Sequence, residues 1–158
     1  MYKAISRMAA ILVLAGASLP ALAEGGHMTV LTRQGSFADA REAVEQALTG
    51  RGFVINSVSH IGDMLERTGK DLGGGKQVFL KAEALEFCSA TVSRRMMEAD
   101  PDNIVFCPYI IFIYVVPGKP NEVRVAYRKT QMVGSQDSQN ALKAVNELLT
   151  EIIQEAVQ

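Results

Sequence analysis

Hydrophobic residues recur at helical spacing in two long segments. From Phe37 to Leu48 the apolar positions fall three and four residues apart, with Ser36 placed as an N-cap and Gly50 placed to end the helix. A stripe of the same kind runs for more than four turns over residues 141–156. Both segments are therefore predicted to be amphipathic helices that cover a core with one face.

Alternating and β-branched segments predict strands between these helices. Leu85 and Phe87 interrupt one alternating run, which predicts a bulge or a strong twist just before Cys88. The turn at residues 117–121 predicts a hairpin between the last two strands. The predicted strands cover residues 27–34, 53–58, 77–84, 104–116 and 123–128.

Two shorter helices complete the pattern. One begins near Ile61 and ends at Gly69, before a glycine-rich loop at residues 70–76. The other covers residues 89–99 and ends at Asp100-Pro101, because a residue before proline avoids the helical conformation. Hairpin strands with helices between them predict an α+β domain of two layers. We expect a mainly antiparallel sheet of about five strands with helices packed on one face.

The first residues have the pattern of a secretory signal peptide. Lys3 and Arg7 precede an apolar run from Met8 to Leu19, and the small-residue motif at 21–23 follows. The run is shorter than the roughly 20 residues that span a bilayer. We therefore predict cleavage after Ala23 and a periplasmic or secreted protein.

Composition limits the classes of function. Residues 24–158 form a single domain by length, and loss of the leader would change the formal net charge from -1 to -3. No block of positive charge is present, so we expect no nucleic-acid partner. No later segment is long and apolar enough to be a convincing span, so we expect no stable membrane anchor after cleavage.

The two cysteines, Cys88 and Cys107, are the first candidates for chemistry. Thiols in an exported protein meet an oxidising environment, where they tend to pair. Three interpretations remain open: a structural disulfide, two separate buried thiols, or a redox or ligand pair. Cys88 is predicted near the N-cap of a helix, where the helix dipole would lower its pKa. A crossover helix between the two residues would leave them far apart, and the chain has no C-x-x-C motif.

A polar cluster is the second candidate. His60 with Asp63 at helical spacing, and Glu86 on a strand, could come together, and Tyr109 follows Cys107 closely enough to be a further candidate. The spacing of the His and Cys residues matches no compact zinc pattern. No cofactor is the first expectation, and haem or a transition metal is the alternative. A hydrolase that uses Glu86 with His60 has no motif to support it.

Several short runs together resemble a known family. The first is a His-bearing turn at residues 59–65, and the second is a strand that ends in Cys at residues 84–89. The third is a helix closed by Asp-Pro at residues 98–101, and the fourth covers residues 107–109. Over roughly residues 53–128 the chain resembles the DUF302 family. The resemblance implies a compact α+β fold with an antiparallel sheet, often dimeric. It implies no activity, because none is assigned to the family.

The expected function is that of an exported, non-enzymatic binding or accessory protein. Its expected partners are a second copy in a homodimer, a periplasmic protein or a small ligand. The alternative is a periplasmic thiol-redox or metal- or haem-binding protein that uses Cys88, Cys107 and His60.

Overall fold

The computed structural model describes residues 23–158, and the predicted leader lies outside that range except for Ala23. Within it, six strands and four α-helices are joined by short loops and one 3-10 helix at Pro101–Phe106. In chain order the elements are β1 (Ala23–Gly25), β2 (Met28–Gln34), α1 (Phe37–Thr49), β3 (Ile55–Ser59), α2 (Ile61–Asp71), β4 (Lys81–Phe87), α3 (Ala90–Ala99), β5 (Tyr109–Val115), β6 (Glu122–Arg128) and α4 (Gln136–Ala156).

The strands form one antiparallel sheet in the order β1-β2-β6-β5-β4-β3. The predicted hairpin is confirmed as β5 and β6. In the pairing of β4 with β5, Phe87 lies opposite Tyr109 and Lys81 lies opposite Val115. The end of β4 therefore lies beside the start of β5, although a helix and a 3-10 helix separate them in sequence.

The core lies between one face of the sheet and the helices α1, α3 and α4. We call this the helix-covered face. The two predicted amphipathic helices supply much of the core, and burial of their apolar stripes stabilises the layer by roughly 25 cal/mol per Å² removed from water. The α+β fold class is confirmed. The fully buried side chains of this layer include Leu31, Val44, Leu48, Leu85, Phe87, Met96, Ile111, Ile113, Leu142, Ile152 and Ile153.

On the opposite side of the sheet, which we call the open face, the start of α2 is the helical cover within residues 23–158. Gly62 lies so close to β4 that a Cβ added there would be 2.8 Å from the backbone nitrogen of Ala82. Ala82, Ala84 and Ala126 are buried on this face. The open face thus combines small residues with the aromatic side chains of Phe112 and Tyr114, and α2 borders it on one side.

Several local features differ from the prediction. A sixth strand, β1, precedes β2, the strand predicted over residues 77–84 is Lys81–Phe87, and α2 continues past Gly69 to Asp71. Residues 104–106 are apolar and were predicted to begin a strand, but they belong to the 3-10 helix, which Asp100 caps by accepting from the backbone N–H of Asp102 at 3.0 Å. The predicted bulge lies on the neighbouring strand: the register of β3 against β4 shifts between Ile55 and Ser57. β4 itself pairs regularly with β5. Its apolar residues Ala82 and Ala84 lie on the open face, whereas Leu85 and Phe87 lie on the helix-covered face.

None of the helices described in the structure combines the length and the apolar character needed to cross a bilayer.

Candidate functional site

The two cysteines lie side by side at one end of the sheet. Cys88 directly follows β4, Cys107 comes two residues before β5, and the Cys88 Sγ to Cys107 Sγ distance is 3.2 Å. Both side chains are partly exposed, and the two sulfurs are not bonded. The separation expected from a crossover helix is wrong, because β4 and β5 are antiparallel neighbours and the chain returns to the end that it left.

Polar groups of α3 and β5 surround the sulfur pair. Ser89 caps α3 by accepting from the backbone N–H of Val92, which fixes the start of the helix immediately after Cys88. One turn further, the Ser93 hydroxyl donates to the Tyr109 hydroxyl at 3.0 Å and lies 3.7 Å from the Cys107 sulfur. The Cys107-Pro108 peptide bond is cis. The pair is therefore held by one strand end, one helix start and one buried hydroxyl contact.

Burial raises the pKa of Cys88 to about 11, and the neighbouring Cys107 sulfur and the Glu86 carboxylate add to the rise. The prediction that this pKa would be lowered is wrong, because burial penalises the thiolate more than the hydrogen bond from the Tyr109 backbone stabilises it. Burial also raises the pKa of Tyr109, while the hydrogen bond from Ser93 opposes that rise. At neutral pH the Cys88 thiol keeps its proton.

The predicted cluster of His60, Asp63 and Glu86 does not form. His60 Nδ1 lies 3.1 Å from Glu83, whose other carboxylate oxygen accepts from Arg41 of α1 at 2.7 Å. Glu83 and Glu86 are three residues apart on β4, so their side chains point to opposite faces of the sheet. Asp63 is exposed in the first turn of α2 and makes no hydrogen bond or ion pair within residues 23–158.

His60 is also remote from the sulfurs along the sheet. Ser59, the residue before it, lies opposite Ala84, whereas Ile55 lies opposite Phe87 at the end of β4 that leads to Cys88. Across the described part of the chain, no three His, Cys, Asp or Glu residues come close enough together to hold a metal ion. The site that the structure brings together is therefore the sulfur pair with Tyr109, which the sequence proposed, and Ser93, which it did not.

Ser93 had one signal in the sequence. It stands four residues after the N-cap Ser89, so it lies on the side of α3 that begins beside Cys88. Only the pairing of β4 with β5 shows that Tyr109 approaches the same side.

Comparison with known proteins identifies the family of the chain. Residues 28–156 match the family model described as domain of unknown function DUF302. The chain belongs to the DUF302 family. A crystal structure of an uncharacterized conserved DUF302 protein from Bacillus stearothermophilus has a similar fold: the TM-score is 0.70 at 13% sequence identity, over 85% of this chain and 100% of that chain. No curated protein matches this DUF302 chain.

Proposed function

We propose that this DUF302 protein is an exported accessory protein whose Cys88 and Cys107 interconvert between a dithiol and a disulfide. The observation that carries the proposal is the 3.2 Å distance between the two sulfurs. A disulfide has its sulfurs about 2.05 Å apart, so bonding needs an approach of only about 1 Å. The partial exposure of both side chains lets a reactant reach them.

The oxidising reactant is a disulfide, carried by an exported protein or by a small molecule. A thiolate attacks one sulfur of that disulfide and forms a mixed disulfide, and the second cysteine then displaces the reactant's remaining thiolate. Two electrons and two protons leave the pair, and the reactant is released as two thiols.

The raised pKa of Cys88 favours an accessory role over turnover. Catalytic thiols are usually activated by a depressed pKa, and here burial acts in the opposite direction. The predicted leader supports a setting outside the cytosol, where such a pair would meet oxidants. We therefore propose that the protein changes its own state with the redox conditions and passes electrons slowly.

The test is a redox titration of the purified protein in glutathione buffers, with free thiols counted by maleimide labelling and mass spectrometry. We expect both thiols to disappear together in one two-electron transition. Cys107→Ser should abolish that transition, and Ser59→Ala, at an exposed serine of β3 away from the sulfurs, should retain it. A pair that stays bonded in excess reduced glutathione would be a structural disulfide, and two thiols that stay free in oxidised glutathione would be independent. Either result overturns the proposal.

A further inference from the structure

A cavity on the open face lies apart from the sulfur pair. Its volume is about 330 Å³, and we call it the sheet trough. Small side chains, Ala82 and Ala126, and the ring of Phe112 are among the sheet residues that line it. The volume lies at the lower end of the range for sites that hold small molecules. The remaining lining residues are His27, Met28, Ile61, Phe79, Glu83, Tyr114, Tyr127 and Arg128.

The sides of the trough come from separate elements. The close contact of Gly62 with β4 holds the start of α2 against the sheet, which places Ile61 at one side. The rings of Phe79 and Tyr114 pack edge to face with centroids 5.6 Å apart. The turn before β2 supplies another side.

A partner protein would need a broad apolar surface, but the large hydrophobic side chains that are most exposed in residues 23–158 all lie outside the trough.

A cation lies at one end of the trough. Arg128 is exposed, lines the trough and also lines a second cavity of about 360 Å³, and the two cavities share Phe112 as well. Among the described residues Arg128 has no ion-pair partner. Arg124, on the same strand, is already engaged by Glu122 at 3.3 Å and lies above the Tyr114 ring. An anionic group on a ligand in the trough therefore has one well-placed counter-charge.

We propose that the sheet trough binds a small amphipathic carboxylate, with its apolar tail over Ala82 and Ala126 and its head group at Arg128. The apolar lining accounts for the tail, since burial of each methylene is favourable by a similar amount. The unpaired guanidinium accounts for the head group, because its planar set of N–H donors matches a carboxylate. Neither cysteine lines the trough, so the proposal is separate from the proposed redox function.

The experiment is isothermal titration calorimetry of the full chain with hexanoate, octanoate and decanoate, each below its micelle concentration. We expect affinity to rise about threefold to fourfold for each added methylene. Decylamine, with the same tail and the opposite charge, should bind more weakly than decanoate. Absence of decanoate binding, or equal binding of decanoate and decylamine, would overturn the proposal.

Two variants separate the tail from the head group. Arg128→Gln should weaken decanoate about fivefold and leave decanol unaffected, and Arg95→Gln, an exposed arginine on α3, should change neither. Ala126→Leu should fill the trough and weaken both ligands; the exposed Arg128 variant keeps the test valid if Ala126→Leu does not fold.

Sedimentation equilibrium provides the remaining check. A dimer that Arg128→Glu dissociates would show that a second copy occupies the trough, and would exclude the ligand.

Discussion

Ser93 is the side chain that joins the two elements carrying the cysteines. It belongs to α3, which follows Cys88, and it donates to Tyr109 of β5, which follows Cys107. Both Ser93 and Tyr109 are buried, so neither hydroxyl can hydrogen-bond to bulk water in place of the other hydroxyl. The geometry of the sulfurs therefore depends on a hydrogen bond that involves neither of them.

Removing the Ser93 hydroxyl should leave the buried Tyr109 hydroxyl without its donor. We expect Ser93→Ala to lower the free energy of unfolding by about 1–3 kcal/mol, measured by urea denaturation. Tyr109→Phe removes the other half of the contact. The double variant should cost less than the sum of the two single variants, and strict additivity would show that the hydroxyl contact contributes nothing.

The titration of Cys88 should appear in the stability of the reduced protein. Its pKa in the fold is about 11, against an ordinary value of 9.0, so the folded state holds the proton more tightly than the unfolded chain. Its contribution to stability is then complete below pH 9 and is lost as the pH rises toward 11. We expect urea denaturation under reductant to show this decline. Cys88→Ser should show a smaller decline, and identical slopes would contradict the assignment.

At the scale of elements, α2 depends on how closely its first turn approaches β4. Gly62 and Gly69 lie in the same helix, but a Cβ at Gly62 would meet the backbone at 2.8 Å, whereas one at Gly69 would meet Gly75 at 3.9 Å. The backbone of a central strand has little room to move, so the first contact cannot be relieved by a side-chain rotation. The sheet backbone therefore excludes a side chain at Gly62 but leaves room for one at Gly69.

This difference predicts opposite effects of the same substitution. Gly62→Ala should destabilise the protein by about 1–3 kcal/mol, because α2 must shift away from β4. Gly69→Ala should stabilise it by up to about 1 kcal/mol through helix propensity. Urea denaturation of the two variants side by side measures both effects. Equal changes in the two would mean that α2 is not held against the sheet.

The elements also show what the sequence could and could not predict. α1 and α4 follow directly from apolar spacing and serine caps, because those signals are local. The position of Cys88 beside Cys107 depends on the order of strands, which local pattern does not determine. The partner of His60 was missed for a related reason: the choice between Glu83 and Glu86 depends on which face of β4 is turned toward α1.

At the scale of the whole molecule, a bond between the cysteines would close a loop of 20 residues that contains α3 and the 3-10 helix. In the chain-entropy model such a loop contributes roughly 3 kcal/mol, mainly by restricting the unfolded chain. We expect the oxidised protein to melt about 6–12 °C above the reduced protein. Calorimetry with and without reductant measures the difference. The Cys107→Ser variant should show none, and a similar shift in that variant would point to an effect of the reductant itself.

The two borders of the sheet bear on how the molecule behaves at high concentration. A border strand with a regular row of free N–H and C=O groups invites another chain to add to it. Here β1 has three residues within the described part of the chain, and the shift of register in β3 interrupts the regular spacing on the other side. Irregular spacing of this kind prevents a straight strand from pairing along the whole border. Restoring regularity by deleting Asn56 would expose a template for fibre growth.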